Sequence, residues 1–199
     1  MLAFSVAYRR RMRSPRIQEA DSLYHIASRG NRKQEIVRDD LDCLRFLAIA
    51  RDVILRRKWI CLAYCLMTNH YHLLVLTPNP DVAAGMQTIN YLAARTFNKR
   101  YRYTGHLFER RYWSELVETE SHLLDTVRYI ALNPVRAGLC QFPEDWPWSS
   151  YPALLGLVSP RAFVDVRWLL SQFADDPLLA VARIRRFVED APARPRLAA

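Results

Sequence analysis

Residues Ile60–Thr77 read ICLAYCLMTNHYHLLVLT, two apolar runs that meet at a short polar break and a His-Tyr-His triplet. Ile60–Met67 and Tyr71–Leu76 are rich in Leu, Val, Ile and Tyr, and each is far too short to cross a membrane. With Thr68-Asn69 between them, the economical reading is a β-hairpin. Side chains alternate along a strand, so His70 and His72 project from one face and Tyr71 from the other. Two imidazoles so placed form a bidentate grip for a metal ion; the same pair is also compatible with two half-buried histidines in ordinary hydrogen bonds.

Working outward, Leu23–Ser28 (LYHIAS) has strand character and is closed by the turn residues Arg29-Gly30-Asn31. Asp39–Lys58 carries apolar residues at 41, 44, 47/48, 54 and 55, which predicts an amphipathic helix; acidic residues at its start and basic ones at its end suit the helix dipole. A second helix is expected over Asp81–Tyr101, with Met86, Ile89, Ala93 and Phe97 on its inner face, and a strand over Tyr112–Val117. The order strand, helix, strand, strand, helix, strand is that of a split βαβ unit. The expected fold is α+β: a ferredoxin-like antiparallel sheet with helices on one face, plus a C-terminal helical extension.

A third helix, capped by Thr119, is expected to run to Leu132 and to stop at Asn133-Pro134, because proline disfavours helical geometry in the residue before it. Leu123, Leu124, Val127, Ile130 and Ala131 form its apolar stripe, leaving Tyr129 and Asn133 together on a face the core does not claim. The aromatic and proline-rich segment after Gly138 reads as an ordered cap. Its Trp146, Trp148 and Tyr151 either stack on unpaired bases or bury against the sheet, and burial is the simpler reading. Residues 161–190 read as a separate helical unit. The expected organisation is a basic arm over 1–15, a main domain over 16–157 and a helical extension over 158–199.

The chain of 199 residues has 29 Lys+Arg against 20 Asp+Glu, a net charge of +9 that favours a polyanionic partner. Arg9, Arg10, Arg11, Arg13 and Arg16 concentrate part of that charge in the N-terminal arm, within which Met12 is an alternative start. Cys43, Cys61, Cys65 and Cys140 form no Cys-x-x-Cys pair and read as reduced residues of a cytoplasmic protein. No membrane span, secretory signal, Walker A loop or Gly-rich dinucleotide turn is present in the sequence.

Two imidazoles and a carboxamide oxygen supply three ligands to a divalent ion and leave positions open for a substrate oxygen. A phenol beside them can attack a phosphodiester once a metal, a base or desolvation favours its phenolate, and a phosphotyrosyl link conserves the bond energy for rejoining.

Five segments, YHIASRGN (24–31), MTNHYHLLV (67–75), GHLFERRY (105–112), YIALNPVRAGL (129–139) and PWSSY (147–151), together resemble the single-tyrosine HUH transposases, in particular their REP-associated tyrosine transposase branch. The resemblance extends from about Arg16 to Gly156. It implies a metal-dependent endonuclease and strand transferase that acts on single-stranded, palindromic hairpin DNA through a covalent 5′-phosphotyrosine intermediate in DNA transposition. By motif position, His70, His72 and Asn133 fall on the ligands of a Mg2+ or Mn2+ ion and Tyr129 on the nucleophile. The DNA is expected to meet Arg29, Asn31, Arg110, Arg111 and Arg136 as well as the arm. No nucleotide cofactor is expected, and a monomer is favoured. Two other readings stay open at this stage: a hairpin-binding protein that does not cut, and a zinc-stabilised interaction domain.

Overall fold

The computed structural model describes residues 18–190. The strands β1 (Ser22–Arg29), β2 (Ile60–Leu66), β3 (His70–Thr77) and β4 (Trp113–Leu116) form one antiparallel sheet in the order β2-β3-β1-β4. The helices α1 (Asp40–Arg56) and α2 (Val82–Tyr101) connect them in the split βαβ order expected from the sequence. β2 and β3 make the predicted hairpin, with Cys65 opposite His72 and Leu66 opposite Tyr71. β1 is paired along its whole length to β3, Ala27 opposite His72 and Arg29 opposite His70.

Each face of the sheet has its own core. On the first, Tyr24, Ile26, Tyr71, Leu73 and Val75 meet α1 and α2. The ring of Tyr71 is fully buried there; its hydroxyl donates to Asn90 Oδ1 at 2.5 Å, and Asn90 Nδ2 donates to Ser28 Oγ at 3.2 Å. This polar chain ties the middle residue of the His-Tyr-His triplet to both α2 and β1, which fixes the strand that carries the histidines.

The buried stripe of α1 differs from the expected one. Cys43, Phe46, Leu47, Ala50, Val53 and Ile54 face the sheet, whereas Leu41, Leu44 and Leu55 are exposed. The helix is turned by Asp42, a buried carboxylate that accepts from Arg38 N, Arg100 and the Tyr101 hydroxyl. A buried charge must be paired in this way, and pairing it sets the face. On α2 the expected inner residues are buried, joined by Val82 and Gly85.

The second face is covered by α3 (Glu120–Arg136), a short α4 (Tyr151–Leu154), α5 (Val166–Ser171) and α6 (Pro177–Glu189), so the sheet is covered on both sides. Thr119 caps α3 as predicted, accepting from His122 N. The helix does not stop at Asn133, however, and continues through Pro134 to Arg136. A proline in the last turn forfeits one backbone bond, and Ala137 N→Asn133 O and Leu139 N→Pro134 O close the end around it.

The helical segment after Gly156 shares this second core: Leu169, Ile184 and Val188 are fully buried with Val127 and Ile130 of α3. Asp165 N donates to Cys61 O on the open edge of β2. Further along that edge, Leu66 N donates to Trp148 O and Ser150 N to Tyr64 O, while Trp146 Nε1 donates to Leu66 O. The aromatic segment therefore caps the edge, protecting a strand that otherwise presents unpaired amides. Tyr151 is buried, as the simpler reading held. Three of the four unpaired cysteines lie in these cores, where burial pushes the Cys43 and Cys61 thiols up to about 12.

Candidate active site on the second face of the sheet

The alternation of β3 sends His70 and His72 to the α3 side, and the β1–β3 register brings a third imidazole beside them. His25 lies opposite Leu74, diagonal to His72, and its Nε2 is 3.0 Å from His72 Nδ1. The ring of Tyr129, from the middle of α3, stands edge-on to His72 at 5.3 Å between centroids and to His25 at 5.7 Å. His70 and His72 are perpendicular at 5.2 Å. One turn on from Tyr129, Asn133 is 8% exposed; its Nδ2 donates to Tyr129 O at 2.9 Å, and its side chain interacts with the His70 ring. The face shared by Tyr129 and Asn133 is thus turned to the histidine-bearing strands, where the helix pattern alone left it outside the core.

All three imidazoles are held neutral. Burial lowers His25 from 6.5 to about 4, with His122 adding to the effect. Burial, together with Arg29, lowers His70 to about 4, opposed in part by Asn133. Burial, then His25, His70 and Arg29, takes His72 well below the usual range. Neutral imidazole is the form that ligates metals. His72 Nε2 is buried and has no hydrogen-bond partner, an arrangement that usually costs stability and that a cation would satisfy. The donors therefore fit a divalent ion held by His70, His72 and Asn133. Among the described residues no group of three or more His, Cys, Asp or Glu side chains is arranged to hold a metal.

The remaining predicted residues divide. Arg136 lies over the Tyr129 ring at 5.5 Å, and Arg29, at the end of β1, is opposite His70. Asn31 is engaged through its backbone, N donating to Leu107 O. Arg110 and Arg111 are exposed on the segment after Glu109, whose N–H donates to Arg29 O, and Arg110 pairs with Glu109. Arg9, Arg10, Arg11, Arg13 and Arg16 lie outside the described residues.

Three members of the site went unassigned in the sequence reading. His25 and Asn69 are two; the third is Trp113, 48% exposed, whose ring packs edge-on to His25 at 5.1 Å. The signal for His25 was its position in β1 at the alternation that places 23, 25, 27 and 29 on one face.

Two strand imidazoles thus face a helix tyrosine across a split βαβ sheet. The chain belongs to the family described as IS200-like transposases, whose pattern matches residues 19–133, from just before β1 to Asn133. Among individual relatives, a protein of Haemophilus influenzae (strain ATCC 51907 / DSM 11121 / KW20 / Rd) described as a REP-associated tyrosine transposase is 33% identical over 102 residues, 45% of this chain and 57% of that protein. The chain thus spans little more than half the length of that relative. A solved structure of a REP-associated tyrosine transposase bound to a REP hairpin superposes with a TM-score of 0.64 at 17% identity, over 94% of this chain and 99% of the other. At that identity the likeness shows the fold.

Proposed function

We propose that this chain is a metal-dependent, HUH-type endonuclease and strand transferase for single-stranded DNA that folds into hairpins. Tyr129 is the nucleophile, and His70, His72 and Asn133 hold the ion. The observation that carries the reading is the meeting of the Tyr129 ring with His72 at 5.3 Å, beside a buried ring nitrogen that has no protein partner. The substrate class is supported by the relatives described as REP-associated tyrosine transposases, one of them bound to a REP hairpin.

A bound divalent ion supplies positive charge that polarises the scissile phosphodiester and stabilises its in-line transition state. Two imidazole nitrogens and one amide oxygen suit Mn2+ better than Mg2+, which prefers oxygen alone. The chain's own residues do the rest. Asn133, bonded through Nδ2 to Tyr129 O, keeps its Oδ1 for the ion and joins ligand and nucleophile on one helix turn. The Arg136 guanidinium lies over the phenol ring at 5.5 Å and brings positive charge to the place where the phosphodiester would meet Tyr129. Tyr129 Oη attacks phosphorus and gives up its proton to solvent. The Oη–P bond forms as the P–O3′ bond breaks, and the leaving 3′ oxygen takes up a proton. The 5′ strand end stays on the enzyme as a phosphotyrosyl ester. Attack by a 3′-hydroxyl on that ester reverses the exchange and rejoins DNA without a nucleotide cofactor.

The test is cleavage of end-labelled hairpin DNA with single-stranded flanks in Mn2+, using wild type and Tyr129→Phe. The variant is expected to bind the hairpin as wild type does and to cut nothing. Equal cleavage by Tyr129→Phe overturns the assignment.

A further inference from the structure

His70 and His72 each have one ring nitrogen engaged by a neighbour that is not itself a ligand. For His70 the neighbour is Asn69, whose Oδ1 lies 2.6 Å from Nδ1. The orientation of that amide is fixed from its other end, because Asn69 Nδ2 donates to Lys33 O at 3.1 Å. An amide oxygen only accepts, so His70 Nδ1 carries the proton and Nε2 the lone pair; the Asn133 side chain, which also reaches this ring, is the third donor proposed for the same ion.

For His72 the neighbour is His25, whose Nε2 lies 3.0 Å from Nδ1. Two neutral imidazoles sharing one hydrogen bond allow two assignments. If His25 donates, the proton of His72 sits on Nε2, a buried N–H aimed where no acceptor exists. If His72 donates from Nδ1, its Nε2 is a lone pair, and His25 carries its own proton on Nδ1. Orphaned buried N–H groups are the rarer and costlier defect, and a lone pair at this place is what a cation fills. His25 is 6% exposed and packed between His72 and the Trp113 ring, so its ring is enclosed on both sides.

We infer that Asn69 and His25 are positioning residues that hold His70 and His72 as Nδ1–H tautomers, presenting two adjacent Nε2 lone pairs to a divalent cation. The inference rests on the reading of the two histidines as ligands and adds the groups that set their tautomers. A solvated imidazole favours the Nε2–H form, so both neighbours act against the intrinsic preference. The hairpin turn supplies one and the β1–β3 register the other.

The test uses the full chain, 15N-labelled and metal-free at pH 7.5. Long-range 1H–15N correlation reads the tautomer of each ring, and Mn2+ affinity is measured separately by the EPR signal of free Mn2+. Both ligand histidines are expected as Nδ1–H. His25→Leu should convert His72 to Nε2–H and weaken Mn2+ binding about 10- to 100-fold. His25→Gln, whose Oε1 accepts the same bond, should restore the tautomer and most of the affinity, a rescue that mere packing does not predict. Asn69→Ala should act on His70 in the same way.

A wild-type His72 protonated at Nε2 overturns the inference, and this reading needs no variant to fold. So does His25→Leu with unchanged tautomer and unchanged affinity. Failure of the wild type to bind Mn2+, with both tautomers as assigned, overturns the underlying metal site instead.

Discussion

Lowering the pH from 7.5 to 5.0 should destabilise the metal-free protein through its buried imidazoles. In the unfolded chain a histidine titrates near 6.5, whereas His25 and His70 titrate at about 4 in the fold. Between those values the unfolded state binds protons that the native state refuses, so stability rises with pH across the window and is lost as pH falls through it. At pH 5.0 the unfolded chain is protonated at each site and the fold is not, which costs about 2 kcal/mol per imidazole. His25 and His70 together contribute roughly 4 kcal/mol, and His72, lowered further, adds in the same direction. For a chain of this size that loss lowers Tm by about 8–16 °C. The Asp39 carboxylate, held at about 2 by Arg100, titrates below this window and does not blur it. Calorimetric melts at the two pH values, for wild type and for His25→Gln, provide the assay. The variant should lose a substantial share of the pH dependence. A wild-type Tm equal at pH 5.0 and 7.5 would refute the claim that these rings are buried and neutral.

Other outcomes follow from the same contacts. Tyr71→Phe leaves Asn90 Oδ1 without its buried donor and should cost about 1–3 kcal/mol in urea unfolding, while Mn2+ affinity stays near wild type. Gly85→Ala should destabilise by about 1–3 kcal/mol, against the gain of about 1 kcal/mol that helix propensity alone predicts, because a Cβ there falls 2.2 Å from Trp59 Cη2. The Trp59 ring cannot swing aside without breaking its 2.8 Å bond to Asp81. Single-strand DNA affinity should fall steeply with salt, and removing Arg110 and Arg111 together should reduce the slope of log K against log[salt] by about 1.4, read by anisotropy titrations.

The hairpin and its two histidines were legible because a period of two over an apolar run determines which side chains share a face. The roles proposed for Asn133 as a ligand and Tyr129 as nucleophile entered through family motifs, since helical spacing placed the pair only away from the apolar stripe. His25 was hidden because its closeness to His72 depends on β1 pairing with β3 in one register, which no local pattern states. The face of α1 was misjudged because exposed Leu41, Leu44 and Leu55 outweighed Cys43 and Phe46 in a count of apolar residues, while the paired, buried Asp42 ran against it. Proline at 134 misled for a related reason: its local preference costs one hydrogen bond at a helix end, and the buried contacts of Asn133 and Pro134 outweigh that.

The central claim, that Tyr129 becomes covalently joined to DNA, is tested most directly by mass spectrometry of the trapped adduct. The protein would be incubated with Mn2+ and a hairpin whose single-stranded flank is cut, denatured, and digested with protease and nuclease. The account predicts one peptide carrying a residual nucleotide 5′-phosphate on Tyr129, absent without Mn2+ and from Tyr129→Phe. An adduct on another residue, or cleavage with no adduct at any time point, would contradict it.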